Sequence, residues 1–381
     1  MKYRRFGRLD WKASVLGFGA MRLPIISDDF NKINEPEAAK MVRYAVDRGV
    51  NYVDTAYVYH GGNSEAFLGK ALQDGYRQKV RLATKMPTWL VHSRSDMDKY
   101  LAEQLTRLKT DHVEFYLLHG MNSERWQSMM KLEVFRWAEK KIKEGKFGHL
   151  GFSFHDEFSV FKNIIDAYDG WGLCQVLYNY MDAGYQAGTK GIKYAASKGL
   201  PVVVMEPVAG GRLALKSHEE IEAVWSGAET KRTPAEWALL WVWNNPDVTV
   251  ALSGMSTMSQ VKENVATADH AETGMLSKSE LDLYKRVADK YRQHGFIQCT
   301  GCRYCQPCPN DVDVPKIIEL FNEFYMKDRD EKVKSKYREQ ITPENCAKKC
   351  TKCGQCEELC PQHLPIKETI SRAAFIFEQE A

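Results

Sequence analysis

The chain alternates short apolar runs with longer amphipathic stretches over most of its 381 residues. Runs rich in β-branched and aromatic residues predict strands, and stretches with an apolar residue every three or four positions predict helices. The predicted strands are 15–18, 51–54, 80–84, 113–118, 149–152, 173–177, 201–205 and 248–252. Helices are predicted at 36–48, 95–108, 126–143, 186–198 and 234–244. Several of them end at a glycine, Gly49, Gly145 or Gly199, as helix C-termini often do.

Strands that alternate with helices form a parallel sheet, and eight such units in residues 1–294 match the size and order of a (β/α)8 TIM barrel. An open doubly wound sheet is the alternative. Residues 17–22, Gly-Phe-Gly-Ala-Met-Arg, lack the third glycine of the Rossmann fingerprint, which favours the barrel. Residues 3–9 are expected either to form a short hairpin under the barrel or to be N-terminal padding.

The cysteines divide the chain, because nine of the ten lie between Cys299 and Cys360. We therefore expect two domains, at 1–294 and 295–381. A composition of 44% hydrophobic and 27% charged residues is that of an ordinary globular protein with a large core. A net charge of +3 gives no reason to expect nucleic acid as a partner. No signal-like segment or long apolar run occurs, so a cytoplasmic location without membrane contact is expected.

Titratable residues follow three neighbouring predicted strands, where the active site of a barrel lies. Asp54 ends the second strand and is followed by Tyr57 and Tyr59, while Lys85 and His119 end the next two. Each alone could be a helix cap, a solvated strand end or a packing aromatic. Together they favour a functional group over these structural roles, because a buried Lys85 needs a partner such as Asp54. A cation beside a phenol lowers its pKa from about 10, which makes a proton donor for a carbonyl oxygen.

At this spacing, Asp54, Tyr59, Lys85 and His119 resemble the catalytic tetrad of the aldo-keto reductases, and the resemblance selects Tyr59 over Tyr57. Supporting segments are 17–19, 62–65, 151–153, 175–179, 206–207 and 263–264. The resemblance implies hydride transfer between an NAD(P) cofactor and a small carbonyl or alcohol substrate. Tyr59 would be the general acid or base, Lys85 and Asp54 would tune it, and His119 would orient the carbonyl.

The resemblance also implies cofactor contacts. Ser153, Gln175 and Asn179 would hold the nicotinamide carboxamide, and Tyr178 would stack on the ring, with Tyr180 and Tyr185 as alternatives. The pyrophosphate and adenosine would meet the loops after strands seven and eight. The residues expected there are Pro207, Gly211, Leu213, Ser253, Gly254, Gln260, Glu263 and Asn264.

Two of these positions bear on the choice of cofactor. NADPH-specific relatives carry a lysine and an arginine for the 2′-phosphate where this chain has Gly254 and Gln260, so NAD and NADP both stay open. Four rim residues are candidates for lining the substrate pocket, namely Trp89, Met121, His155 and Trp225.

The cysteines of the tail form two runs, C-x2-C-x2-C-x2-C-P from Cys299 and C-x3-C-x2-C-x2-C-x3-C-P from Cys346. Structural zinc prefers two separated pairs of ligands, whereas three cysteines at x2 spacing with a later Cys-Pro are typical of [4Fe–4S] clusters. The runs resemble the helical variety of the bacterial two-cluster ferredoxins, and 315–327 is predicted to be a helix between them. The resemblance implies two clusters, one on Cys299, Cys302, Cys305 and Cys360 and the other on Cys350, Cys353, Cys356 and Cys308. Cys308 follows an x2 spacing where the pattern has x3, and Cys346 has no assigned place.

The two predicted domains transfer electrons in different numbers, because a nicotinamide transfers two electrons as hydride and a cluster transfers one. A flavin could reconcile them, although no flavin motif is present, and an external electron carrier is a candidate partner. The leading hypothesis is an aldo-keto reductase whose clusters exchange electrons or only support the structure. The alternative is an iron–sulfur electron-transfer or redox-sensing protein that uses the barrel as a scaffold.

Overall fold

The computed structural model describes residues 1–27, 29–215, 217–327 and 329–379. They divide into two compact units. The first unit comprises 1–208 and 235–276, and the second comprises 209–234 and the residues from 277 onward. Within the described ranges, no helix combines the length and the apolar composition that a membrane crossing requires.

The first unit contains a closed barrel. The strands in chain order are β1 (Tyr3–Arg5), β2 (Lys12–Ser14), β3 (Leu16–Gly19), β4 (Ile25–Ile26), β5 (Asp29–Ile33), β6 (Tyr52–Asp54), β7 (Arg81–Met86), β8 (Val113–Met121), β9 (Phe147–Phe154), β10 (Trp171–Leu177), β11 (Val202–Met205) and β12 (Val250–Gly254). Strands β3 and β6 to β12 close in the order β10-β11-β12-β3-β6-β7-β8-β9, and neighbours in the ring run parallel. The eight predicted strands and the (β/α)8 fold are confirmed.

Helices surround the barrel and make up most of the second unit. In chain order they are α1 (Glu35–Asp47), α2 (Asn63–Ala71), α3 (Arg94–Arg107), α4 (Ser123–Lys131), α5 (Val134–Lys143), α6 (Phe158–Asp166), α7 (Gly188–Ser197), α8 (Glu219–Ser226), α9 (Pro234–Asn244), α10 (Met258–Ala268), α11 (Lys278–Gln293), α12 (Val314–Met326), α13 (Glu331–Gln340), α14 (Gln355–Glu358) and α15 (Ile366–Phe377). The second unit contains α8 and α11 to α15.

One predicted helix is wrong. The structure divides 126–143 into α4, which begins at Ser123, and α5, which begins at Val134. Glu133 between them has φ +54°, a left-handed conformation that a right-handed helix cannot contain. The break was not predicted because residues 126–143 contain neither proline nor glycine. The other predicted helices are confirmed, with ends within two residues of the observed ones.

The N-terminal hairpin closes the bottom of the barrel. Strand β1 pairs antiparallel with β2, so the hairpin extends beyond the predicted 3–9. Phe6 between the two strands is fully buried, and its ring lies 5.0 Å from that of Phe115 and 6.0 Å from that of Tyr52. Both partners come from barrel strands, so the hairpin is part of the barrel core and not padding.

The second unit has its own apolar core. Helix α12, which confirms the helix predicted at 315–327, packs on α15, and the rings of Phe324 and Phe377 lie 5.5 Å apart. Residues 209–234 follow the barrel strand β11 but belong to this unit, where the Trp225 ring in α8 lies 5.2 Å from that of Tyr284 in α11. The sequence did not predict that this segment packs with the cysteine-containing part of the chain.

We expect Phe6→Ala to lower the free energy of unfolding by about 3–5 kcal/mol, because it leaves a cavity among buried aromatic rings. Tyr3→Ala on the same hairpin removes a side chain that is 46% exposed and should cost roughly 1 kcal/mol at most. Urea unfolding followed by circular dichroism measures both. Equal effects of the two substitutions would show that the hairpin does not belong to the core.

Candidate active site

The four predicted catalytic residues lie together at the carboxyl rim of the barrel. Asp54 ends β6, Lys85 lies near the end of β7 and His119 near the end of β8. Tyr59 begins a short 3-10 turn, Tyr59–Gly62, that follows β6. Because parallel neighbours present their carboxyl ends at the same rim, consecutive strands bring these side chains into contact.

The ammonium group of Lys85 is the centre of this group. Its Nζ donates to Asp54 Oδ1 at 2.6 Å, to the carbonyl oxygen of Thr55 at 2.7 Å and to the hydroxyl oxygen of Tyr59 at 3.2 Å. An ammonium has three N–H donors, so this set uses all of them. A cation that donates to a phenol oxygen favours the ionised phenol, so this contact favours the phenolate form of Tyr59 over the neutral one.

The protonation states of Lys85 and Asp54 depend on their burial and on their contact. Lys85 is fully buried and Asp54 is 2% exposed. Burial raises the pKa of the Asp54 carboxyl and lowers the pKa of the Lys85 ammonium, while the attraction between the two charges opposes both shifts. The negative charge of Glu65 also raises the pKa of Lys85. With direct contact and a second carboxylate in support, we take the pair as ionic at neutral pH.

His119 completes the rim beside Tyr59. The two ring centroids lie 6.0 Å apart, and the ring planes are nearly perpendicular at 82°. Burial, followed by the positive charges of Lys85, His155 and Arg125, holds the pKa of His119 well below its usual value. The imidazole is therefore neutral at neutral pH, and a neutral imidazole can donate one hydrogen bond to a carbonyl oxygen.

A buried carboxylate that was not given a role from the sequence supports the end of β7. Glu65 in α2 is fully buried, and its Oε1 accepts hydrogen bonds from Thr84 Oγ1 and from Gln104 Nε2, both at 2.6 Å. Gln104 Nε2 also donates to the carbonyl oxygen of Lys85 at 3.0 Å. The network therefore fixes the backbone on both sides of the Lys85 Cα. The available signal was a glutamate among the apolar residues of α2.

Two predicted carboxamide ligands lie on the neighbouring strands. Ser153 in β9 accepts a hydrogen bond from the backbone N–H of Gly120 at 2.8 Å. Gln175 in β10 is 2% exposed, and its Oε1 has no hydrogen-bond partner among the described residues. A buried acceptor without a donor is costly, and an amide N–H of a nicotinamide carboxamide would satisfy it. This acceptor fits the cofactor that the fold implies.

The other two predicted nicotinamide contacts are engaged with the protein itself. Asn179 Oδ1 accepts from the backbone N–H groups of Met181 and Asp182 at 2.9 and 3.1 Å, and its Nδ2 donates to the carbonyl oxygen of Glu206 at 3.1 Å. The ring of Tyr178 lies 4.7 Å from that of Trp241 in α9. In this structure Asn179 therefore shapes the loop after β10, and Tyr178 packs against the outer helices.

The predicted contacts after β12 form a hydrogen-bonded group. Ser253 Oγ accepts from Asn264 Nδ2 at 2.9 Å, and Gln260 in the first turn of α10 accepts through Oε1 from the backbone N–H of Ser256 at 2.8 Å. Glu263 is half-buried on the same helix. Arg22, which the sequence did not single out, lies so close to Gly254 that a Cβ there would come within 3.0 Å of its Cγ.

The predicted contacts after β11 fall in both units. Pro207 is buried in the first unit, whereas Gly211 and Leu213 belong to the second. Gly211 has φ +94°, a conformation that favours glycine, and Leu213 is 1% exposed.

Three of the four suggested pocket residues lie in the first unit. The Trp89 ring is 5.1 Å from that of His119, and Met121 is buried at the end of β8. His155, which follows β9, lies close enough to His119 to lower its pKa. Trp225 lies in the second unit.

Most cysteines of the second unit lie close to one another. Burial raises the pKa of the Cys305 thiol, and the thiols of Cys302, Cys299, Cys360 and Cys356 raise it further. Burial, Glu357 and the thiols of Cys350 and Cys308 raise the pKa of Cys356 to about 11. The residues lining one cavity include Cys305, Cys308, Cys350, Cys353 and Cys356. Thiols gathered in this way fit iron–sulfur ligation.

The remaining cysteine of the tail packs on the apolar core of the second unit. Cys346 Sγ donates to the carbonyl oxygen of Pro343 at 3.4 Å.

Comparisons with known proteins agree with this geometry. Residues 15–285 match the Aldo/keto reductase family, and residues 298–364 match the 4Fe-4S dicluster domain. The chain is 28% identical to L-galactose dehydrogenase of Arabidopsis thaliana over 309 residues, which are 76% of this chain and 95% of the relative.

Solved structures show the same likeness. The holo form of aldo-keto reductase AKR11C1 from Bacillus halodurans has a TM-score of 0.63 and 27% identity, over 75% of this chain and 96% of the other. An aldo/keto reductase from Klebsiella pneumoniae in complex with NADP and acetate has a TM-score of 0.61 and 26% identity, over 75% of this chain and 95% of the other. The chain belongs to the aldo/keto reductase family of oxidoreductases and carries a 4Fe-4S dicluster domain after its barrel.

Proposed function

We propose that this oxidoreductase uses NAD(P)H to reduce a small carbonyl compound, or runs the reverse oxidation of an alcohol, with Tyr59 as the general acid or base. The observation that carries the proposal is the contact of 3.2 Å between Lys85 Nζ and the hydroxyl of Tyr59, made by an ammonium that also pairs with Asp54. Family membership supports the substrate class, because aldo-keto reductases act on small carbonyl compounds.

Each of the four residues has a separate role in the proposed reaction. The nicotinamide, when bound, supplies or accepts the hydride. Neutral His119 donates a hydrogen bond to the carbonyl oxygen and orients it, and Tyr59 transfers its phenolic proton to that oxygen as the hydride reaches the carbon. Lys85, held by Asp54, stabilises the phenolate until a proton from solvent restores it.

For the cofactor, we propose that Gln175 and Ser153 hold the carboxamide, with Asn179 and Tyr178 shaping the adjacent loop. The phosphates and adenosine would meet the residues after the last two barrel strands, namely Pro207, Gly211, Leu213, Ser253, Gly254, Gln260, Glu263 and Asn264. The NADP bound to the Klebsiella relative supports NADP, whereas the uncharged Gly254 and Gln260 favour NAD. Dissociation constants for NADPH and NADH decide between them.

For the tail, we propose two [4Fe–4S] clusters, each on four thiolates. The first set is Cys299, Cys302, Cys305 and Cys360, and the second is Cys308, Cys350, Cys353 and Cys356. Cys299, Cys302 and Cys360 act on the thiol of Cys305 or on one another, and Cys308 and Cys350 act on that of Cys356, although Cys356 also acts on Cys305. Carbonyl chemistry would belong to residues 1–294 and the clusters to 295–381, in a cytoplasmic protein whose clusters exchange electrons with an external carrier or hold the tail together.

Tyr59→Phe should lower kcat for carbonyl reduction by roughly 10²- to 10⁴-fold, because it removes the proton that the carbonyl oxygen receives. Tyr57→Phe is the matched control, since the Tyr57 hydroxyl donates to Glu103 Oε2 at 3.0 Å and not to the catalytic group. Steady-state kinetics with NAD(P)H and a panel of aldehydes measure both variants. Equal activity of Tyr59→Phe and the unmodified protein would refute the assignment of the acid. A protein that reduces no carbonyl compound but passes electrons to a carrier would support the electron-transfer alternative.

Cys305→Ala and Cys356→Ala should each remove one cluster, so that iron falls from about eight to about four atoms per chain. Cys346→Ala should keep the full iron content, because Cys346 lies outside both proposed sets. Iron analysis and low-temperature EPR of anaerobically purified, dithionite-reduced protein measure the result. About four irons in the unmodified protein would contradict the two-cluster proposal.

A further inference from the structure

We propose that His60, the residue after the general acid Tyr59, is a positioning residue that holds Tyr59 in place by joining its turn to the strand pair β4 and β5. We call Tyr59–Gly62 the catalytic turn. Strands β4 and β5 pair antiparallel between β3 and α1. This inference rests on the proposed function, because a residue that positions Tyr59 affects turnover only if Tyr59 transfers the proton.

Tyr59 is the member of the catalytic group that lies outside the barrel strands. Asp54, Lys85 and His119 lie on strands of the closed sheet. Tyr59 begins a four-residue turn whose last two residues are glycines, the residue type with the greatest backbone freedom. Side chains on loops are held less precisely than side chains on strands or helices. The catalytic turn therefore needs contacts from outside to fix Tyr59.

The backbone of His60 has an unusual conformation. Its φ is +52° and its ψ is +44°, which is the left-handed region that residues other than glycine rarely adopt. Such a conformation persists only where the surrounding structure imposes it, and it is found most often at functional sites. The imidazole of His60 must therefore make contacts that offset the strain of its backbone.

The imidazole is fully buried and joins two segments. Its Nε2 accepts a hydrogen bond from the backbone N–H of Leu23 at 3.2 Å, and its Nδ1 lies 2.7 Å from the carbonyl oxygen of Phe30 in β5. Because an amide N–H only donates and a carbonyl only accepts, Nδ1 carries the proton and the ring is neutral. Burial lowers the pKa of His60, the bond to Phe30 opposes that shift, and the charge of Arg22 adds to it.

Two further contacts hold the catalytic turn and β5 together. The rings of His60 and Phe30 stack, with centroids 4.6 Å apart and planes at 15°. Asn63 Nδ2, directly after the turn, donates to the carbonyl oxygen of Asn31 at 3.0 Å. A Cβ at Gly61 would come within 2.4 Å of Asn31 Oδ1, so β5 packs closely on the turn. His60 is thus the buried centre of this contact.

The position of His60 determines where the Tyr59 side chain starts. Consecutive Cα atoms are about 3.8 Å apart, so a fixed His60 fixes the Tyr59 backbone next to it. The Tyr59 hydroxyl has to remain in contact with Lys85 Nζ, which lies 3.2 Å away. Because a misplacement of about 1 Å costs roughly 100-fold in rate, releasing His60 should slow proton transfer even though no reacting atom is removed.

His60→Gly tests the proposal, because glycine adopts the left-handed conformation without strain and lacks the imidazole. We expect kcat for carbonyl reduction to fall by roughly 10- to 100-fold, while the dissociation constant of NAD(P)H stays the same. His60→Asn should recover part of the loss, because asparagine tolerates this conformation and its amide can donate to the Phe30 carbonyl. An unchanged kcat in His60→Gly would show that only the backbone conformation matters and would overturn the proposal.

Lys109→Gly is the matched control. Lys109 also has a left-handed φ, +51°, but it is exposed and lies outside the catalytic group, so kcat should not change. Asn63→Ala serves as a second variant if His60→Gly does not fold, because it removes one contact without opening a buried cavity. It should lower kcat in the same sense but less. Unchanged kcat in Asn63→Ala in that case would also overturn the proposal.

Hydrogen–deuterium exchange measures the contact without any turnover. In the full holoprotein, His60→Gly should speed exchange of the Leu23 amide and of the catalytic turn by at least about tenfold, and Lys109→Gly should not. Unchanged exchange in His60→Gly would refute the inference. Loss of activity in Tyr59→Phe with full activity in His60→Gly would leave the proposed function intact and refute this inference. Faster exchange in His60→Gly of a protein that reduces no carbonyl compound would support the contact and refute the proposed function.

Discussion

The buried ion pair of Lys85 and Asp54 is the interaction on which the rest of the site depends. Removing two charges from water costs several kcal/mol per ion, and only close contact with further hydrogen bonds offsets that cost. The barrel meets this requirement by placing the two residues on adjacent strands at 2.6 Å and by adding the Thr55 carbonyl as another acceptor. Glu65 then fixes the end of β7 through Thr84 and Gln104. The ammonium is thus held facing the Tyr59 hydroxyl before any substrate arrives.

Much of this arrangement could be predicted from the sequence because it is local to the strand ends. A run such as 51–54 indicates both a strand and the rim position of its last residue, so Asp54, Lys85 and His119 could be placed together without a structure. The choice between Tyr57 and Tyr59 was different. It depends on the turn that follows β6, which directs Tyr57 to Glu103 and Tyr59 to Lys85, and only the family spacing indicated it.

Features that depend on contacts between distant segments could not be predicted. Glu65 and Gln104 meet across 39 positions of the chain, and no local pattern in either helix indicates that contact. The break at Glu133 has no glycine or proline to mark it. The amide of Asn179 bonds to backbone N–H groups of its own loop and to the carbonyl oxygen of Glu206, which a residue-by-residue resemblance does not reveal. The contact between Glu65 and Gln104 is decided by tertiary packing and not by local preference.

The division into units places a segment that follows a barrel strand in the cysteine-containing unit. Residues 209–234 follow a barrel strand, yet they pack with the cysteine-containing part. Arg212, between the predicted pyrophosphate contacts Gly211 and Leu213, donates through Nε to the carbonyl oxygen of Cys299. In the same unit, Lys290 in α11 pairs with Glu220 in α8 at 2.6 Å. A segment expected to hold the nucleotide is therefore tied directly to the first cysteine of the tail. The cysteine-rich part thus contacts the loop that carries the proposed nucleotide contacts Gly211 and Leu213.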